Sequence, residues 1–201
     1  MKDVRPELHG VAEEFARLVD TIRADEWDLP AMDQWSVREL VGHTLGGVKR
    51  AATYLDEPAE AVTHHSPAGY FLTVSAMAGI HDQVADRGRA SAQLLGEDPV
   101  ITVRRELEEA FVRIDGADLD AVVNVVGGGM VYGPYLFTRL LEVVMHTDDL
   151  ARVLGRTVSI PESAVALVLG SLTDMLTADQ GMAVARALTG REPLAPTNVF
   201  C

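Results

Sequence analysis

The chain has 201 residues, 48% hydrophobic and 23% charged, and its 17 Lys and Arg against 30 Asp and Glu leave a net charge of −13. This length suits one domain, or one with a sizeable terminal extension, and the composition excludes intrinsic disorder and collagen-like repeats. The charge repels phosphate backbones and anionic lipid surfaces, so neither a nucleic-acid nor a membrane partner is expected.

The single cysteine, Cys201, is the last residue. That excludes a disulfide framework and a thiolate zinc cluster, leaves His, Asp and Glu as metal ligands, and makes a reducing cytoplasm the expected compartment. The start, MKDVRPELHG, lacks the apolar run of a signal peptide, and no window approaches the ~18 to 20 apolar residues of a membrane span.

From Pro6 onward, Leu8, Val11, Ala12, Phe15, Leu18, Val19 and Ile22 recur at three and four residues, with Glu13, Glu14, Arg17 and Asp20 opposite, which predicts an amphipathic first helix ending near Ala24. The stretch DEWDLPAMDQW is a turn carrying Trp27 and Trp35. Ser36 and Glu39 have the spacing of a capping box and open a second helix to about Leu55. A loop, DEPAEAVTHHSPAG, precedes a third helix from Tyr70 to Leu95 that tolerates Gly79 and Gly88, and a short fourth helix follows Pro99.

The Val-rich stretch around the triple glycine, IDGADLDAVVNVVGGGMVYGP, reads either as a short hairpin or as an irregular loop. From Pro134 a strongly apolar helix runs to Leu154 and stops at Gly155, and a last helix spans Pro161 to about Leu188 before a polar tail. Five or six helices with almost no alternating strand pattern predict an all-α bundle, in which sites form between helices.

The chemistry is expected on the Pro134 helix. Tyr135, Arg139, Glu142, His146 and Asp149 follow at intervals of four, three, four and three, so all five lie on one stripe bordering the apolar arc of Leu136, Leu140, Val143, Val144, Leu150 and Leu154. This polar ladder either faces a cleft or belongs to the solvated half of the helix with Thr138, Asp148 and Arg152. Glu142 and His146 are an i, i+4 pair able to converge on one ion, or equally an exposed hydrogen-bonded pair. A third ligand is then required. His9 lies in the first helix, His64 and His65 in a loop, and His81 in the third helix. His43 is the better candidate, at the margin of the apolar arc of the second helix among Gly42, Gly46 and Gly47, which would permit close approach of a helix or a ligand; otherwise it is an ordinary boundary histidine.

WSVRELVGH, ending at His43, and RLLEVVMHTDDLARVLG, from Arg139, resemble the mycothiol-dependent maleylpyruvate isomerase family, a branch of the DinB-like four-helix metalloproteins. The shared patterns are W-S-V-R-E-L-V-x-H and R-x-x-E-x-x-x-H-x-x-D-L, about a hundred residues apart and in the family's order. The likeness runs from Leu8 to about Gly155, and ALTGREPL is similar to the end of many short members.

The resemblance implies a DinB-like four-helix bundle over 1–155, with an additional C-terminal helix and tail, 156–201, packed on it. It implies that His43, Glu142 and His146 hold Zn²⁺ or another divalent metal, with Arg139 and Asp149 as orienting groups of the catalytic site rather than ligands. Two neutral imidazoles and one carboxylate leave a fourth position open, the pattern of a catalytic site. The implied co-substrate is a low-molecular-weight thiol such as mycothiol, held as thiolate and added to a small electrophile, in isomerase or S-transferase chemistry. Family isomerases carry a second domain where this chain has about fifty residues beyond Leu150, so the electrophile is left unassigned. No basic residue beside Cys201 lowers its pKa, so the nucleophile is expected to be imported. The competing readings are a non-catalytic small-molecule-binding or interaction bundle with a vestigial site, and a homodimer formed through the apolar last helix.

Overall fold

Helix α1 (Arg5–Val19) starts on Pro6, whose missing N–H is harmless in a first turn, and buries the expected stripe of Leu8, Val11, Ala12, Phe15, Leu18 and Val19. The computed structural model describes residues 2–32 and 35–195. A short antiparallel pair, β1 (Pro30–Met32) and β2 (Trp35–Ser36), leads into α2 (Val37–Thr53). The capping box at its start is formed: the Ser36 hydroxyl accepts from the Glu39 amide at 3.3 Å, and the Glu39 carboxylate accepts from the Ser36 amide at 2.8 Å. One 3₁₀ turn, Tyr54–Asp56, closes the helix.

The single third helix expected from Tyr70 to Leu95 is two helices, α3 (Pro67–Ser75) and α4 (Ile80–Leu94). Gly79, at φ +72°, takes the left-handed conformation that breaks the run, a role hidden in the sequence because the apolar spacing continues across it. Helix α5 (Pro99–Asp115) is longer than expected, and the Asp98 side chain accepts from the Ile101 amide at its start.

The Val-rich segment is a hairpin, β3 (Val122–Val125) against β4 (Gly128–Val131), paired Val122 to Val131 and Val125 to Gly128. The loop before α3 lies across it: the Thr63 and His64 amides both donate to the Gly129 carbonyl, at 2.8 and 3.0 Å. A side chain on Gly129 would overlap the Ala61 carbonyl, so the loop seats only on glycine.

Helix α6 (Tyr132–Val153) follows directly. Helices α1, α2, α5 and α6 pack together as the four-helix core, and α4 lies along the outer side of α2. That contact depends on Gly42, where a Cβ would come within 2.6 Å of the Ala92 amide nitrogen. The last expected helix is again two, α7 (Glu162–Thr173), which packs on α6 and α1, and α8 (Ala178–Leu188). The second starts at its own capping box, Thr177 with Gln180, and buries none of its described side chains. The architecture is all-α and DinB-like, with two short antiparallel strand pairs as its only sheets among the described residues. None of its described helices is long and apolar enough to cross a membrane.

Candidate functional site

The polar ladder of α6 faces inward. Tyr135 and Arg139 are only 1% and 4% exposed, and Glu142, His146 and Asp149 are half-buried, so the stripe does not belong to the solvated half of the helix. Thr138, expected on that outer arc, is fully buried: its hydroxyl donates to the Tyr135 carbonyl at 2.6 Å and accepts from Arg139 Nε at 3.1 Å. Asp148 and Arg152, the rest of that arc, do form a surface ion pair at 2.7 Å.

His43 of α2 comes to meet His146 edge-on, ring centroids 5.0 Å apart and planes 79° apart. Trp35, in β2, covers both: its indole is tilted over His43 at 4.5 Å and edge-on to His146 at 6.4 Å. The indole reaches this place because α4 carries Gly88, where a Cβ would stand only 3.0 Å from it. His43 Nδ1 and Trp35 Nε1 are buried with no hydrogen-bond partner. Burial pushes the His43 pKa down to about 3, outweighing the nearby Glu142 carboxylate, so the ring is neutral at physiological pH.

Arg139 grips both oxygens of Glu142, Nη1 to Oε2 at 2.7 Å and Nη2 to Oε1 at 3.0 Å, and its guanidinium lies over the Tyr135 ring at 5.0 Å. Burial works against both charges, yet each holds the other ionised: the Arg139 pKa is raised and the Glu142 pKa lowered from their ordinary values. Helix α2 passes close to the pair at Gly47, where a Cβ would stand in ordinary contact, 3.5 Å from Glu142 Oε2 and 3.6 Å from Arg139 Nη1. Asp149 Oδ2 lies 3.3 Å from His146 Nδ1 and so orients that ring.

His43, Arg139, Glu142 and His146 are thus brought to one wall, with the two imidazoles packed together, Glu142 turned to Arg139, and Asp149 against His146. As the side chains stand, no three His, Cys, Asp or Glu among the described residues are disposed to hold a metal ion. The side chain of His81 and all of Cys201 lie outside the described residues.

These groups open into a cavity of about 630 Å³ between α2, α3, α4 and α6. Its lining adds residues not expected from the sequence: Arg50, Tyr54, Tyr70 and Arg87, with Phe71 and Val74 as apolar wall. Arg50 was legible in principle, since it follows His43 by seven residues and therefore shares its helix face. Tyr54 and Tyr70 sit at the edges of a segment without periodicity, and only the fold brings them in.

A helical bundle whose second helix delivers a histidine to a Glu–His ladder on a later helix has the architecture of the DinB-like class. The family described as mycothiol maleylpyruvate isomerase N-terminal domain matches residues 8–151, and the chain belongs to it. Comparison with curated proteins and with solved structures gives no match.

Proposed function

We propose that this chain is a cytoplasmic, metal-dependent enzyme that uses a low-molecular-weight thiol, such as mycothiol, against a small electrophile in isomerase or S-transferase chemistry. The observation that carries the reading is the pairing of His43 with His146 at the wall of the interhelical cavity, contributed by helices about a hundred residues apart in sequence. The donor chemistry fits a divalent metal. His43 is neutral with an unpartnered buried nitrogen, His146 is oriented by Asp149, and Glu142 is kept ionised by Arg139. His43, Glu142 and His146 would hold the ion; when bound, it would supply the positive charge that keeps a thiol ionised near neutral pH.

The chain's own residues prepare the place for it. Trp35 covers the two imidazoles, and Phe71 and Val74 add apolar wall to the cavity. Arg139 fixes the rotamer and charge of Glu142, and Asp149 fixes the ring of His146. The only cysteine is terminal, so the nucleophilic sulfur comes from the co-substrate.

One observation favours a second reading. Both Glu142 oxygens are engaged by Arg139, as befits a non-catalytic binding bundle with a vestigial site. A conjugation assay with thiol and electrophile separates the two: His146→Ala abolishes thiol-dependent turnover if the enzyme reading holds, whereas wild-type protein without turnover under any divalent metal supports the binding bundle.

A further inference from the structure

A second, smaller recess of about 220 Å³ lies between α2, α4 and the start of α5, about a quarter-turn round α2 from His43. Its volume is below the ~300 Å³ at which sites for larger organic ligands begin, and suits a small ion or group. The α2 side is a stripe of Gly42, Gly46, Lys49 and Thr53, at intervals of four, three and four. The Arg50 side chain leans back over the preceding turn, as helical side chains do, and arrives beside Gly46. A Cβ at Gly46 would stand 2.9 Å from Ser91 Oγ on α4 and 3.7 Å from Arg50 Nη1, so hydroxyl and guanidinium face one space that a methyl would fill.

These donors are left open. Although the chain carries −13 and its acids serve Arg104, Arg113 and Arg156, the Arg50 side chain has no hydrogen bond or ion pair among the described residues. Neither the Ser91 nor the Thr102 hydroxyl, both at the recess, has a hydrogen bond among them either. Glu106, the acid lining the recess, is paired with Lys49 through one oxygen and with Arg105 through the other, so its charge is offset from both sides. The Lys49 ammonium keeps two further donors. Two cations and two hydroxyls from three helices thus converge on one small space. Donors arriving from separate directions match a tetrahedral oxyanion, whereas a flat carboxylate suits a single two-point fork.

We infer that this recess binds a phosphate group, gripped by Arg50 and Lys49 with the Ser91 and Thr102 hydroxyls as further donors. The site stands apart from the metal and thiol reading, since Arg50 alone lines both this recess and the larger cavity among the described residues. The phosphate is either free or carried on a small ester, and inorganic phosphate and glycerol 3-phosphate are the probes that tell these apart.

Calorimetric titration of the full chain, stripped of metal with a chelator and held at constant ionic strength, tests it. At least one probe should bind saturably at about one equivalent, about tenfold or more tighter than acetate, and the tighter of the two names the source. Arg50→Gln should weaken that binding about tenfold or more, as should Gly46→Ala, whose methyl enters the recess. Arg87→Gln, which alters only the larger cavity, and the surface variant Arg152→Gln should leave it unchanged. If Arg50→Gln or Gly46→Ala fails to fold by circular dichroism, Ser91→Ala takes its place, with an expected loss of about fivefold. Absence of saturable binding by either probe, acetate binding as tightly, or affinity preserved in the recess variants overturns the proposal. So does a loss in Arg87→Gln, which would put the anion in the larger cavity. None of these variants replaces His43, Glu142 or His146, so the outcome is independent of the metal reading.

Discussion

The indole of Trp35 lies tilted over the imidazole of His43, ring centroids 4.5 Å apart and planes 38° apart. This contact helps to bury a histidine that is only 7% exposed, and it joins β2 to the site. The indole packs closely against Gly88 of α4, where a Cβ would stand about 3.0 Å from it and push it aside.

Stability in acid follows from the same contact. The His43 pKa falls from 6.5 to about 3 on folding, so between these values the unfolded chain binds a proton that the native chain does not. Stability from this group is fully present above pH 6.5 and is lost as pH falls toward 3, on the order of 1.4 kcal/mol per pH unit. Metal-free wild type should lose melting temperature steadily through this window, and His43→Gln should flatten that slope. An identical slope in the variant would mean that His43 is solvated.

The space around two helical glycines, one at the contact of α2 with α4 and one in α8, sets opposite expectations. Gly42→Ala places a methyl against the Ala92 backbone and should destabilise the chain by about 1–3 kcal/mol. Gly181→Ala, in a helix with open space around it, should stabilise by about 0.5–1 kcal/mol. Thermal melts of the two variants should shift in opposite directions.

Much of this was readable from residues alone. The Ser36–Glu39 capping box fixed the start of α2, and the intervals Tyr135, Arg139, Glu142, His146 and Asp149 put a site on α6, because helical periodicity is a local property. What the spacing left open was whether the stripe met a cleft or water, and that depends on α2, α3 and α4 closing over it. The break at Gly79 was concealed by apolar residues on both sides, and the break before Thr177 by Met175 and Leu176, which continue the apolar pattern up to it. Tyr54, Tyr70 and Trp35 entered the site through tertiary packing, which no periodicity carries.

Arg139 and Glu142 act as one unit. Arg139→Met leaves Glu142 charged and without its partner in a largely buried place, and should cost about 2–4 kcal/mol in denaturant unfolding. Arg139→Lys should recover only part of this, since an ammonium cannot repeat the two-point grip. Full recovery by lysine would show that charge alone matters there.

On the proposed function, in which the reacting sulfur is imported with the co-substrate, Cys201→Ser should leave thiol-dependent turnover unchanged. Loss of turnover in this variant, measured with saturating external thiol, would move the nucleophile onto the chain.

The central claim is that His43, Glu142 and His146 act together on a divalent metal, and titration of the metal-stripped chain with Zn²⁺ tests it most directly. The account predicts saturable binding of about one equivalent per chain, abolished in His43→Ala and in His146→Ala, weakened in Glu142→Gln, and retained in the surface variant Asp148→Asn. Absence of saturable binding in the wild type, or binding that persists unchanged when both histidines are replaced, would contradict it.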